Sequence, residues 1–349
     1  MILILDESFD AHVDYVVQKL RQRGTKFVRF NSADFPSKAT ISCSYSAVGE
    51  AKYRLFVDEE IINLDLVMSV WCRRPQPPVP HQGFEDENSY NYVKEECETY
   101  INDLWNSLDC LWLPASTAVV KRAQFKASQL RIAATLGFEL PPTLFTNDPD
   151  DFLEFYRQHN GNIISKLASI SFHTTVGKSF CRYTEVVSRR DVGYAQAVRY
   201  CPMIFQAYVP KRLELRITVV GQKVFAAEIH SQATNHTRYD WRRYDHNKTV
   251  YLPHQLPHKL ELQCIQLVEK LGLCFGAIDM ILTPDDRYVF LEINPNGQYL
   301  WVEQLTGLPI SDAICDLLMS GSSVTKRSQQ ILEISQETCY EDSISACAS

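Results

Sequence analysis

Gly276-Ala277-Ile278-Asp279-Met280-Ile281-Leu282-Thr283-Pro284-Asp285-Asp286-Arg287-Tyr288-Val289-Phe290-Leu291-Glu292-Ile293-Asn294-Pro295 reads as two apolar strands around a short polar turn. Acids stand inside both apolar runs, and a buried acid needs a counter-charge. A two-residue turn at Asp285-Asp286 sets Asp279 directly opposite Glu292, with Asn294 two residues on along the same face. Opposed side chains in such a pair lie about 4.5–5.5 Å apart at Cβ. Two carboxylates at that spacing repel unless a cation lies between them, and a hard, oxygen-preferring ion such as Mg²⁺ suits them best. The bland alternative, two acids at solvated strand ends or one kept protonated by burial, stays open at this point.

The chain has 349 residues, more than one ordinary core accommodates, so two or three domains are expected. Its apolar runs, such as 274–282, are broken by Asp279 well short of a membrane span. The N-terminal Met1-Ile-Leu-Ile-Leu-Asp6 lacks the basic region and cleavage site of a secretory signal and reads as a buried strand, which implies a cytosolic protein. Eleven cysteines are scattered without any Cys-x-x-Cys, which favours reduced thiols over a disulfide framework. His254 and His258 are separated by Pro257, which breaks the helix needed to aim both at one ion, so zinc is not expected. A net charge of −7 speaks against a nucleic-acid partner held by phosphate contacts, although basic residues cluster at Lys121-Arg122 and between 238 and 243.

Residues 2–5, 11–23 and 26–30 read as a strand, an amphipathic helix closed by Gly24, and a second strand, a βαβ opening. After polar or irregular stretches, 64–71 reads as a strand, the Pro-rich run to Pro80 as irregular, and 85–108 as a long helix. A boundary is expected near 117. Beyond it, 121–136 has helical period, 141–146 is extended, 151–159 is helical and 161–167 is a strand. Strands at 203–209, 213–220 and 223–231 and a helix at 258–271 lead to the acidic hairpin, and a serine-rich tail, expected to be disordered, follows residue 320.

Lys166 ends the strand Asn162-Ile-Ile-Ser-Lys166, where an ammonium beside an apolar strand needs an anion such as phosphate. Lys126, on the helix that opens the middle region, is a second candidate for the same anion, although a solvated helix lysine is its commoner explanation when taken alone. Gly177-Lys178-Ser179 ends like a phosphate-binding P-loop, but Phe172 stands where that motif needs its first glycine and a strand-like stretch follows, so the match fails. The small-residue loop 168–179 can still offer N–H groups to phosphate or be a plain solvent loop. The linker Gln206-Ala207-Tyr208-Val209 can present backbone groups to a flat heteroaromatic base. Glu214 and Arg216 share one strand face by the period of two; the guanidinium suits a phosphate or carboxylate, while a surface ion pair is the dull alternative.

The ordered series of two lysines, small-residue loop, linker, Glu-x-Arg strand and Asp…Glu-x-Asn hairpin resembles the ATP-grasp fold. More narrowly, Asp10-Ala-His12, Arg29-Phe-Asn31, Asp34-Phe-Pro36, Trp71-Cys-Arg-Arg-Pro75, Asp240-Trp-Arg-Arg-Tyr244 and Leu291-Glu-Ile-Asn-Pro-Asn-Gly-Gln298 resemble the microviridin-type, or graspetide, peptide-maturation ligases across roughly residues 1–320, with Cys72 departing from an expected aromatic. The resemblance implies a mixed α/β and α+β architecture: a Rossmann-like pre-ATP-grasp domain over 1–117, a central lobe over 118–209, a C-terminal lobe over 210–320, and the tail 321–349. It implies ATP and two Mg²⁺ held by Asp279, Glu292 and Asn294. Lys126 and Lys166 would take the α- and β-phosphates, Gln206 to Val209 with Glu214 would line the nucleotide site, and Arg216 with Lys166 would act at the reacting γ-phosphate. The implied reaction joins Asp or Glu side chains of a ribosomal precursor peptide to Thr, Ser or Lys through an acyl phosphate, forming esters or amides. Its leader would dock near 185–200 and the 213–231 sheet, its acidic core near Arg238, Arg242 and Arg243, and the enzyme would be a homodimer.

Two rivals share the nucleotide site: a ligase acting on free amino acids or on a protein's glutamate tail, and a nucleotide-binding module without catalysis. Only the N-terminal third and the acceptor surface separate the first from a macrocyclase, whereas the complete set of charged residues speaks against the second. Thr338, Glu341, Asp342 and Ser343 mix hydroxyls and acids as a core peptide does, although a plain extension is the simpler expectation.

Overall fold

A computed structural model describes residues 1–7, 9–84, 86–167, 173–175, 178–180, 183–233, 240–241 and 249–321. The tail residues singled out above, Glu85, Arg238, Arg242, Arg243, Phe172 and Gly177 lie outside the described residues. The opening strand Ile2–Leu5 is wholly buried, with parallel neighbours on both sides: Phe27–Phe30 and Ser69–Cys72, the latter paired in turn with Leu111–Leu113. An unbroken apolar strand is what a parallel sheet covered on both faces demands. Helix Ala11–Gln22 supplies one cover through Val13, Val16, Val17 and Leu20; Asp10 caps it by accepting from the N–H groups of His12 and Val13. Helix Glu87–Asn106 covers the other face with Cys97, Ile101, Leu104 and Trp105.

Two expectations for this region are corrected. Residues 64–71 are not one strand: Leu64–Leu66 is a 3₁₀ turn capped by Asn63, and the strand starts at Ser69. The stretch read as polar or irregular contains a three-stranded antiparallel meander, Thr40–Tyr45, Ala51–Val57 and Glu60–Asn63. Its inner face, Ile41, Cys43, Tyr53, Leu55 and Ile62, packs on the same core as the long helix.

A second antiparallel sheet has the order Glu185–Val186, Ile163–Lys166, Met203–Ala207, Thr143–Thr146, backed by helix Pro149–Gln158 through Phe152, whose ring stacks on Phe205 at 4.4 Å. The third large sheet runs Tyr251–His254, Lys223–Ile229, Leu213–Val220, Phe275–Leu282, Tyr288–Asn294, antiparallel throughout. One of its faces, with Leu213, Leu215, Ile217 and Met280, packs against helix His258–Lys270 through Cys264 and Leu267.

The expected helix over 121–136 is two helices, Thr117–Ala123 and Lys126–Thr135, separated by Phe125 in extended backbone at φ −69° and ψ 107°. The carbonyl of Ala123 is satisfied at the break by the Gln129 amide at 2.7 Å. Both helices share their core with the third sheet, not with the second. Helices Leu300–Thr306 and Ile310–Ser320 lie between that sheet and the N-terminal domain, where Ile310, Ile314 and Leu318 join Ile2, Ile4, Val13 and Val16 in one core.

Candidate active site

The hairpin places Asp279 opposite Glu292, as the sequence leads one to expect, but by a different route. Its turn is not the two-residue Asp285-Asp286. Thr283 and Arg287 close it, the N–H of Thr283 donating to the Arg287 carbonyl at 3.0 Å and that of Asp286 to the Thr283 carbonyl at 3.1 Å. Pro284, Asp285 and Asp286 form the loop, with Asp286 left-handed at φ +63°. From that turn Leu282, Ile281 and Met280 pair with Tyr288, Val289 and Phe290, a register that would set Asp279 against Leu291. A β-bulge takes up Leu291, and beyond it Asp279 faces Glu292 and Ala277 faces Asn294. A one-residue slip sends every side chain to the opposite face, so the bulge is what puts Glu292 and Asn294 on the side of Asp279.

Arg216 pairs with Asp279 across its other edge, making a row Arg216, Asp279, Glu292 over three strands. Its Nη1 donates to both Asp279 carboxylate oxygens at 2.9 Å and its Nη2 to the Gln298 carbonyl at 3.0 Å. Lys126, the first residue of its helix, donates to Glu292 Oε2. Each acid therefore has a basic partner, and the counter-charge required by the apolar strands is supplied here by a guanidinium and an ammonium. Lys126 stands directly after the helix break at Phe125.

Two further residues, neither assigned a role from the sequence, hold this strand and the loop that follows it. Gln129, 2% exposed, donates from Nε2 to the Ile293 carbonyl at 2.7 Å and accepts the Ile293 N–H on Oε1 at 3.2 Å, clamping the backbone between Glu292 and Asn294. Because Tyr288–Asn294 is the edge strand, the amide stands where a neighbouring strand would. Arg73, also buried, donates from Nη1 to the carbonyl and side-chain oxygen of Asn296 at 2.8 and 2.9 Å. The only hint of Arg73 in the sequence was its place in the Trp71-Cys-Arg-Arg-Pro75 motif.

The other candidates lie on the second sheet or at its exit. Lys166 Nζ donates to Gln206 Oε1 at 2.7 Å, and Gln206 Nε2 to Thr143 Oγ1 at 2.9 Å. The N–H groups of Ala207 and Tyr208 are taken by the carbonyls of Pro142 and Asn162, each at 2.9 Å, so a base read at this linker would have to use Val209 or carbonyl groups. Glu214 shares the face of Arg216 but bonds Lys211 Nζ at 2.8 Å; burial pushes its carboxyl up, and the Lys211 charge opposes that rise. In the small-residue stretch, His173–Thr175 and Lys178–Phe180 pair as antiparallel strands, so Lys178 and Ser179 lie in a strand, not at the start of the helix that a P-loop requires. Asp240 is buried and accepts the Thr184 N–H at 2.9 Å, and Trp241 lies against Trp301 with ring centroids 5.1 Å apart.

Among the described residues no group of three or more His, Cys, Asp or Glu is arranged to hold a metal. Two carboxylates and the Asn294 amide oxygen on one hairpin fit a hard divalent ion that completes its shell with phosphate oxygens and water, and do not fit zinc. Arg216 Nε and Glu214 Oε2 are buried and have no hydrogen-bond partner among the described residues. Orphaned polar atoms of this kind, side by side on one strand, suit a site completed by a polar ligand.

The first 119 residues match the family model of the MvdD pre-ATP grasp domain, and residues 123–318 match the RimK-like ATP-grasp domain. No curated protein sequence matches the chain. Among solved structures it is similar to a RiPP-associated ATP-grasp ligase of Chryseobacterium gregarium in complex with ADP and a leader and core peptide, at 32% identity and a TM-score of 0.84, covering 92% of this chain and 97% of that one. It is also similar to two macrocyclases of Microcystis aeruginosa MRC. MdnC, bound with precursor peptide MdnA, is 30% identical with a TM-score of 0.79, covering 91% of this chain and 99% of that one. MdnB is 33% identical with a TM-score of 0.73, covering 91% and 98%.

Fold and matches together define an ATP-grasp enzyme with an N-terminal pre-ATP-grasp domain. The chain belongs to the ATP-grasp ligases of the RiPP-associated, microviridin-type branch, as its motifs led one to expect. No helix among the described residues is long and apolar enough to cross a membrane.

Proposed function

We propose that the protein is an ATP-dependent macrocyclase of a ribosomal precursor peptide. A side-chain carboxylate of the peptide attacks the γ-phosphorus of ATP, ADP leaves, and a hydroxyl or amine of the same peptide captures the acyl phosphate. That capture breaks the C–O bond to phosphate, releases hydrogen phosphate carrying the nucleophile's proton, and forms an ester or an amide. The observation that carries this reading is the row Arg216, Asp279, Glu292 with Lys126 at its end, in a chain 32% identical to a ligase bound to ADP and peptide. The MvdD-type domain over residues 1–119 favours a macrocyclase over a ligase of free amino acids or glutamate tails, since the ATP-grasp portion alone is common to both.

Asp279, Glu292 and Asn294 would hold Mg²⁺, which supplies charge neutralisation at the β- and γ-phosphate oxygens. Arg216, oriented by Asp279 and Gln298, carries an unpaired Nε donor for an oxyanion of the reacting phosphate. Lys166, fixed by Gln206, and Lys126 would bind the remaining phosphate oxygens, with Gln206 to Val209 and Glu214 lining the nucleotide. No side chain of the enzyme need become covalently attached. The division into 1–117, 118–209, 210–320 and 321–349, leader docking at 185–200 with the 213–231 sheet, a homodimer and a cytosolic site of action belong to the same proposal and rest on the family resemblance.

Mass spectrometry of candidate precursor peptides incubated with Mg-ATP tests it. Wild-type enzyme is expected to remove one water per ring, and Glu292→Gln to yield none. Equal product from both removes Glu292 from the site.

A further inference from the structure

A chain of hydrogen-bonded polar groups, anchored on the buried Asp10 and Arg73, runs from the N-terminal sheet to the loop after the acidic hairpin, and the reaction described above gives Arg73 and Asn296 no role. Arg73, 1% exposed at the end of strand Ser69–Cys72, donates from Nε to Asp10 Oδ2 at 3.2 Å and from Nη1 to two oxygens of Asn296. Asn296 answers through Nδ2, which donates to the carbonyls of Cys72 and Arg73. The Asn296 N–H donates to Asn294 Oδ1 at 3.1 Å. Two residues on, the Gln298 carbonyl holds Arg216 Nη2. Gly297 lets the loop lie this close, since a Cβ there would stand 2.4 Å from Ala277 Cβ and 2.8 Å from Arg216 Nη2.

A buried guanidinium with one carboxylate partner is costly unless its remaining donors are satisfied; Nη1 is satisfied by the loop after the hairpin, whereas Nη2 has no hydrogen-bond partner among the described residues. Arg73 spends Nη1 on a single loop, the one that carries Asn294 at its start and orients Arg216 at its end. We propose that Arg73 is a positioning residue for the hairpin site: through Asn296 it fixes the Asn294 amide and the Gln298 carbonyl, so that the docked N-terminal domain sets the geometry of the metal-binding end. This rests on the reading of Asp279, Glu292 and Asn294 as metal ligands.

Manganese(II) serves as the probe, its binding to the ADP-loaded protein followed by electron paramagnetic resonance, with urea unfolding of each variant alongside. Arg73→Lys and Asn296→Ala are each expected to weaken Mn²⁺ binding about tenfold, the scale found when a partner that orients a metal ligand is lost. In an Asn294→Ala background the effect of Arg73→Lys is expected to shrink below about twofold, because coupled residues are not additive. Unchanged Mn²⁺ affinity in both single variants, or a full effect of Arg73→Lys persisting beside Asn294→Ala, overturns the proposal and leaves Arg73 a purely structural residue. Should Arg73→Lys fail to unfold cooperatively, Asn296→Ala decides alone. If the wild type binds no more Mn²⁺ than ADP does by itself, or Glu292→Gln binds as the wild type does, the metal assignment fails and the positioning role falls with it.

Discussion

Edge-on to the Tyr299 ring at 4.8 Å and close to Arg73, His12 is held neutral: burial, helped by the Arg73 charge, lowers its pKa to about 3 from 6.5. Between those values the unfolded chain binds the extra proton, so stability rises with pH across this window and is lost as pH falls through it. Asp10 acts in the same direction at the acid end; burial raises its pKa, but the charges of Arg73 and His12 and the N–H groups of His12 and Val13 outweigh that and hold it low. His12→Asn is therefore expected to flatten the stability profile between about pH 4 and 6.5 in urea unfolding at stepped pH. An unaltered slope would mean that the imidazole is not the group responsible. At this scale Asp279, Glu292 and Arg216 were legible because a charge inside an apolar strand announces itself. Arg73 and Gln129 were not, since the partners that give them meaning stand 223 and 164 positions away.

Elements were read well where a periodic face was long and bounded by glycine or proline, as in helix Ala11–Gln22 and strands Leu213–Val220 and Phe275–Leu282. The break at Phe125 has no such marker; what accommodates it is the Gln129 amide, which satisfies the Ala123 carbonyl, a bond that helical period does not reveal. In the meander, Lys52 and Arg54 face outward and alternate with Tyr53 and Leu55 on the inner face, a period of two that the exposed Phe56 blurs. The bulge at Leu291 offset the longer turn, so the correct acid pairing was inferred from an incorrect loop. Replacing Gln129 with Leu tests how firmly the helix break and the edge strand depend on one side chain. It strips partners from the Ala123 and Ile293 carbonyls and the Ile293 N–H, and buried groups left unpaired cost about 1–3 kcal/mol each. Urea unfolding of Gln129→Leu should show a loss of at least about 1 kcal/mol; a smaller change would mean that water replaces the amide.

Across the whole molecule, ion pairs and a shared apolar core join the N-terminal domain to the C-terminal helices, beside a buried hydrogen bond from the Ser69 hydroxyl to the Leu318 carbonyl at 2.8 Å. Lys19 and Arg23 pair with Asp312 and Asp316 at 2.6–2.9 Å, and Lys223 reaches Asp316 as well, all at partly exposed positions. Beneath them Val13, Val16, Ile310 and Ile314 share one apolar core. Exposed ion pairs contribute about 0–1 kcal/mol each, whereas truncating a buried isoleucine costs about 2–5 kcal/mol, so the core decides the docking. Ile314→Ala should lower unfolding stability more than Asp312→Asn and Asp316→Asn combined; the reverse order in urea titrations would make the charges dominant.

That shared core, together with the Arg73 bond to Asn296, bears on how such ligases can be recombined. A chimera cut between residues 119 and 123 takes Arg73 and Val13 from one parent and Asn296 and Ile314 from the other, so both halves arrive without the surfaces they grew against. Crossovers that keep the parents' fitted surfaces together are those that transfer the segment from 294 to 320 along with the first 119 residues.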